Sequence, residues 1–156
     1  MKKFLTAGLM SVLAISAVAC SKPAVAQAYA APIDVTLGYA NNDALGKDGL
    51  RAELGTELRG VRLGLTSLTS EDRMETYGVY AAVPFQVHNT KLSIVPRIEA
   101  ERFRQVDESV GSLGIGAEYQ MTQNVRADAV YKYSKAFDSD VDLDGNSFLF
   151  GVTRTF

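Results

Sequence analysis

The stretch Val125–Lys135 reads VRADAVYKYSK, and it alternates almost without a fault. Val125, Ala127, Ala129, Tyr131 and Tyr133 occupy one parity; Arg126, Asp128 and Lys132 occupy the other. Side chains of an extended chain point to opposite faces at successive residues, so this is a strand with an apolar face and a charged one. Lys91–Arg102 repeats the pattern, with Leu92, Ile94, Ile98 and Ala100 against Arg97, Glu99 and Glu101. Six further segments do the same, at approximately Ile33–Ala40, Leu50–Leu58, Val61–Leu68, Glu75–Pro84, Val110–Met121 and Ser147–Phe156. The expected architecture is therefore all-β, with eight antiparallel strands in up-and-down order.

The two faces segregate along the whole chain. The apolar face continues through Val35, Leu37, Tyr39, Leu54, Leu63, Leu65, Tyr77, Val79, Leu113, Ile115, Phe148, Phe150 and Val152, and Arg154 is its one charge. The opposite face carries Asp34, Arg51, Glu53, Glu57, Arg62, Arg97, Glu99, Glu101, Glu118, Arg126, Asp128 and Lys132. Two solvents are implied. A soluble barrel would turn the apolar face inward around a ligand cavity; a membrane barrel would turn it outward to lipid. Periodicity alone does not choose between them. Two features favour the membrane. Gly38, Gly55, Gly64, Gly78, Gly114, Gly116 and Gly151 all fall on the charged face, where a narrow interior needs room for long side chains and open water does not. The second feature is a final strand that ends on Phe156.

That strand, with Phe148, Phe150, Val152 and Phe156 on one parity, resembles the C-terminal assembly-signal strand of bacterial outer-membrane barrels. Arg154 departs from the usual apolar residue at its position. Over about residues 32–156 the plan resembles the small OmpA/OmpX-type and opacity-type barrels. The resemblance implies an eight-stranded transmembrane β-barrel in the outer membrane. Its partners would be membrane lipids, lipopolysaccharide and the barrel assembly machinery. It also implies surface roles, in adhesion or envelope integrity, with an external protein partner that the residues do not identify. With both termini periplasmic, the external breaks are Asn41–Gly49, Thr69–Met74, Phe103–Ser109 and Ala136–Asn146. Arg59-Gly60, Phe85–Thr90 and Thr122–Asn124 are then periplasmic turns, the middle one longer than expected.

Residues 1–28 read as a secretory signal peptide and 29–156 as the barrel domain. Lys2 and Lys3 precede an apolar stretch from Phe4 to Ala19, and small residues at Ala24, Ala26 and Ala28 offer cleavage sites. Cleavage after Ala28 is preferred over Ala26. It removes three of 16 basic residues and none of 18 acidic ones, taking the net charge from -2 to -5. Neither value points to nucleic acid. Cys20 stands in Ala17-Val18-Ala19-Cys20, which resembles a lipobox without its usual Leu; the plainer reading is a small residue in a discarded leader. As the one cysteine, it cannot form an internal disulfide.

Several residue groups could carry chemistry. The lumen set Arg51, Glu53, Arg62, Arg97, Glu99, Glu118, Arg126, Asp128 and Lys132 reads as a mutually paired network, because unpaired charge in a narrow interior is costly. The alternative is a narrow passive channel. Asp140, Asp142, Asp144 and Gly145 open like a calcium loop, but Gly151 stands where the closing Glu belongs. A partial Ca²⁺ site of Asp138, Asp140, Asp142 and Asp144 is left, and no other cofactor is expected. His88, the single histidine, falls in a turn at the wrong end for chemistry on the external leaflet. No nucleophile elbow, phosphate loop or Cys/His metal set is present, so an enzyme is not expected.

Overall fold

A computed structural model describes residues 31–42, 47–70, 75–104, 107–137 and 144–156. The expected signal segment lies outside them. The strands are β1 (Ile33–Asn42), β2 (Lys47–Leu58), β3 (Val61–Ser70), β4 (Glu75–Ala82), β5 (Phe85–Gln86), β6 (Leu92–Phe103), β7 (Glu108–Gln120), β8 (Val125–Ala136) and β9 (Gly145–Thr155). Each long strand pairs antiparallel with its sequence neighbour. β1 also pairs with β9, so the sheet closes on itself and has no long edge.

β5 continues β4. The β4–β6 register pairs Ala82 with Arg97, and Phe85 opposite Ile94 and Gln86 opposite Ser93 keep the same count. The interruption is Val83-Pro84, and the eight walls of the barrel are β1, β2, β3, β4–β5, β6, β7, β8 and β9. The long break expected at Phe85–Thr90 is thus a strand end plus a short turn, closed by Val87 N–H to Leu92 O at 2.9 Å. A proline inside a strand of a closed barrel leads one to expect a bulge or a slipped register, and the same unit shows why Pro96 produces neither. Pro96 sits opposite Ile115 in an unbroken β6–β7 ladder. Its carbonyl accepts from Val83 N–H at 3.1 Å. Its missing N–H therefore faces Val83, where β4 has already been interrupted, and costs the ladder little.

The strand ends at the long-loop end run further than their apolar patterns. Asn42 pairs with Lys47, so the expected Asn41–Gly49 break shrinks to residues 43–46, which lie outside the described ones. At the other end, Arg59 (φ 53°) and Gly60 (φ 80°) form a two-residue hairpin turn that needs two left-handed residues. Ile33 and Phe156 exchange backbone hydrogen bonds beside it. His88 is exposed in the turn after β5.

The register fixes the barrel's shape. A circuit from Asn42 passes Ser147, Lys132, Gly114, Arg97, Ala82, Arg62 and Glu57. It arrives one step beyond the Thr56–Ile33 pair, level with Pro32 and ten residues from its start. Such a stagger over eight strands gives tilted strands and an interior just wide enough for side chains.

The faces decide between the two solvents. Leu50, Leu65, Val79, Ile98, Leu113, Ile115, Phe148 and Phe150 are exposed on the outer wall, Leu113 at 68%. Arg51, Glu53, Arg62, Arg97, Glu99, Glu101, Asp128 and Lys132 are buried in the lumen. The soluble ligand-binding barrel requires the reverse and is excluded by this arrangement. Arg154 lies on the outer wall at the turn end, its guanidinium 4.9 Å from the Phe156 ring centre.

Candidate functional site: the charged lumen

Inward-facing positions of neighbouring strands bring the charges together in two groups. The larger lies at mid-barrel. Glu53 accepts from Arg51 Nε at 2.7 Å and from Arg97 Nη1 at 3.0 Å and Nη2 at 2.5 Å. Arg51 Nη1 reaches Asp128 at 2.8 Å across the lumen. Arg97 also pairs with Glu99. Lys132 Nζ bridges Glu99 at 2.6 Å and Glu101 at 2.5 Å. Thr66 donates to Glu53, and Thr153 to Asp128, each at 3.3 Å. Three cations thus serve four carboxylates in one continuous chain of contacts.

The smaller group lies at the turn end. Asp34 binds Arg126 Nη2 at 2.5 Å and lies 3.3 Å from Arg62 Nε, while Thr155 donates to its other oxygen at 2.6 Å. Arg62 also pairs with Glu118 and lies 3.5 Å from Glu57, and Arg126 Nε lies 3.4 Å from Glu118. Every residue of the expected lumen network joins one of the two groups, together with Asp34, Glu57 and Glu101. Burying these charges is tolerable because each has partners; deleting one would strand the others in a low-dielectric interior.

Tyr80 is the member that sequence reading missed. Its ring lies 3.8 Å from the Arg97 guanidinium carbon, a stacked cation–π contact. It occupies the space left by two glycines: a Cβ on Gly64 would fall 2.6 Å from Tyr80 Cε1, and one on Gly55 would strike the Tyr80 hydroxyl. These two glycines therefore seat an aromatic ring, where long charged chains were expected. The signal was available, since Tyr80 has the parity opposite to Tyr77, Val79 and Ala81.

Apolar side chains complete the filling. Ala40, Leu68, Val130 and Leu149 form one buried cluster, and Phe103 and Val110 form another toward the loop end. Between Arg51, Glu101, Lys132, Ser147 and Leu149 lies a cavity of about 10 Å³. That is room for one water molecule, not for a column of them.

Of the acidic loop, Asp138, Asp140 and Asp142 lie outside the described residues. Asp144 accepts the Ala136 N–H at 3.0 Å, an ordinary closure of the loop base. Among the described residues there is no cluster of three or more His, Cys, Asp or Glu arranged to hold a metal ion. Phe148, Phe150 and Val152 face outward on β9 as the assembly-signal pattern requires, and Tyr131 packs 5.0 Å from Phe148.

A closed eight-stranded antiparallel barrel with a charged lumen and an apolar wall is the fold of the small outer-membrane β-barrels. No family model matches the sequence, and no curated protein does. Solved structures match in fold. The N-terminal β-barrel domain of Pseudomonas aeruginosa OprF is 15% identical, with a TM-score of 0.65 over 80% of this chain and 97% of that one. The Yersinia pestis outer membrane protein Ail is 16% identical, with a TM-score of 0.55 over 81% of this chain and all of that one. The designed transmembrane barrel TMB2.3 is 12% identical, with a TM-score of 0.61 over 82% and 96%. A β-barrel domain, an outer membrane protein and a de novo designed sequence share the architecture, so the likeness is one of fold.

Proposed function

We propose that the chain is an outer-membrane surface protein. In this reading the barrel is a non-conducting anchor, exported by a cleaved signal peptide, and the external loops present the interaction sites. One observation carries it: the lumen is filled from the turn end to mid-barrel by paired charges and beyond that by Leu68, Leu149, Phe103 and Val110. Such an interior stiffens the barrel and suits an anchor better than a channel. The apolar wall suits lipid, and Phe148, Phe150, Val152 and Phe156 suit recognition by the assembly machinery. The fold neighbour described as an attachment invasion locus protein is in keeping with a surface role.

The test has two parts. The full precursor, expressed in a Gram-negative host, is expected in the outer-membrane fraction with a band that shifts on boiling. Purified barrel in planar bilayers is expected to give no steady single-channel steps. Regular conductance steps would replace the anchor with the narrow-channel reading. A soluble protein without a heat shift would overturn both.

A further inference from the structure

The mid-barrel network does not balance. Arg51, Arg97 and Lys132 face Glu53, Glu99, Glu101 and Asp128, and none of these residues is more than 8% exposed. With every carboxylate ionised, one negative charge is enclosed without a counter-charge. The turn-end group carries the same excess, with Asp34, Glu57 and Glu118 against Arg62 and Arg126. There the Glu57 side chain is 39% exposed and meets water at the mouth. Mid-barrel has no such outlet, and a buried charge without a partner is strongly disfavoured.

The contacts locate the excess. Glu53 is held by two guanidiniums. Asp128 is held by Arg51 and Thr153. Glu99 has a cation on each oxygen, Arg97 on Oε1 and Lys132 on Oε2. Glu101 is held through Oε2, by the Lys132 Nζ that already serves Glu99. Two carboxylates thus press on one ammonium, and like charges so placed resist joint ionisation.

The remaining neighbours of Glu101 do not relieve it. Arg51 lines the same cavity but is engaged by Glu53 and Asp128. Arg97, on the same strand, is engaged by Glu53 and Glu99. β1 and β3 present Ala40, Thr66 and Leu68 to that cavity, and β9 presents Ser147 and Leu149. In the register, β4 places Thr76 and Gly78 beside Glu101, and β7 places Val110 and Ser112. None of these carries charge. One of them lacks a partner: Ser147 is 1% exposed, and its Oγ makes no hydrogen bond. It lines the cavity of about 10 Å³ that Glu101 also lines. An O–H on Glu101 would meet that oxygen directly, or through the one water the cavity can hold.

We propose that Glu101 is a proton-binding site: it is the neutral acid at neutral pH, its O–H directed toward Ser147 Oγ, and Lys132 is left to pair with Glu99. The proton brings the enclosed network to zero charge. Glu101 immediately precedes the exposed Arg102, at the loop-end margin of the apolar wall. Ionising it would loosen that end of the barrel, so the network is a pH-sensitive clamp. The unfolded chain releases this proton above about pH 4.3. The folded chain keeps it, so stability falls as pH rises until Glu101 ionises in the fold. The inference needs the closed barrel and its enclosed lumen, and not the surface role.

Mature barrel from outer membranes would be placed in lipid vesicles in D₂O, and its infrared spectrum recorded at neutral and at alkaline pH. The expected result is a carbonyl band of an un-ionised carboxyl group at neutral pH. It should be absent in Glu101→Gln and present in Glu57→Gln, a change at the exposed mouth. The urea midpoint of the parent should fall by about 0.5 M or more from neutral to alkaline pH. That of Glu101→Gln should stay level, and in alkali it should match or exceed the parent's. A parent with no such band at neutral pH would overturn the site, as would a band that survives in Glu101→Gln. So would a Glu101→Gln that is less stable than the parent at both pH values or gives no heat-shifted band, because the amide is close in shape and charge to the neutral acid.

Discussion

Tyr80 and Arg97 stack inside the barrel, 3.8 Å from ring centre to guanidinium carbon, from neighbouring strands that pair directly. The ring is held over Gly64 and Gly55, and the guanidinium is held by Glu53 and Glu99. Four strands, β2, β3, β4 and β6, therefore meet at one contact, and it can be taken apart in a controlled order.

Gly55→Val should fold poorly, because its Cβ would strike the Tyr80 hydroxyl. Overpacking of this kind costs about 1–3 kcal/mol. Tyr80→Ala made in the same chain should restore much of the loss. The check is a double-mutant cycle on urea unfolding in lipid vesicles, with a coupling of at least about 1 kcal/mol expected. Additive effects would mean that the glycine serves some other purpose.

Glu53→Ala should be among the most damaging lumen changes. It leaves Arg51 and Arg97 together without the carboxylate that lies between them. Breaking a buried pair from one side costs about 3–5 kcal/mol. Arg102→Gln, which removes an exposed pair with Asp107, should leave the urea midpoint close to that of the parent chain. Urea midpoints of the two variants, read by the heat-shifted band, measure the contrast; equal midpoints would contradict it.

These two sites also mark how far the sequence could be read. Membership of the lumen was legible in parity alone: Arg51, Glu53, Arg97 and Lys132 all oppose an apolar face. Partnership was not, because Arg51 meets Asp128 only after the barrel closes with its ten-residue stagger, and no local pattern encodes that. The solvent on each side had to be argued from glycines, and two of those argued for the wrong reason, since Gly55 and Gly64 seat Tyr80. Strand ends were misjudged where pairing outlasts apolarity, as at Asn42 and Lys47. The β4 wall was misjudged because Pro84 looks like a stop, yet the register resumes at Phe85.

Pro96→Ala should be neutral or stabilising by about 0.5–1 kcal/mol, since it supplies an N–H opposite Val83. Ile98→Pro, two residues on and opposite Ala81 in the continuous part of β4, should cost about 3 kcal/mol or prevent folding. Refolding yields from urea into vesicles would compare them. A severe loss in Pro96→Ala would show that the proline is needed for the wall's shape.

Export should leave a mature chain that starts at Tyr29, with Gln27 as the second cleavage product. Intact mass of the protein recovered from membranes decides this. A mass that corresponds to a lipidated Cys20 at the N-terminus would contradict it and make the barrel a lipoprotein.

The central claim is that the apolar face meets lipid and the charged face is enclosed, and β3 tests it most directly. Single cysteines at Leu63, Leu65, Thr66 and Leu68, in a mature chain that has lost Cys20, would carry a spin label in membranes. Collision rates with oxygen and with a water-soluble nickel chelate would then be measured. The account predicts high oxygen and low nickel accessibility at 63 and 65, where Leu65 is 58% exposed, and low accessibility to both at 66 and 68, which are buried. Nickel accessibility at 63 and 65 equal to that of a label in water would contradict it.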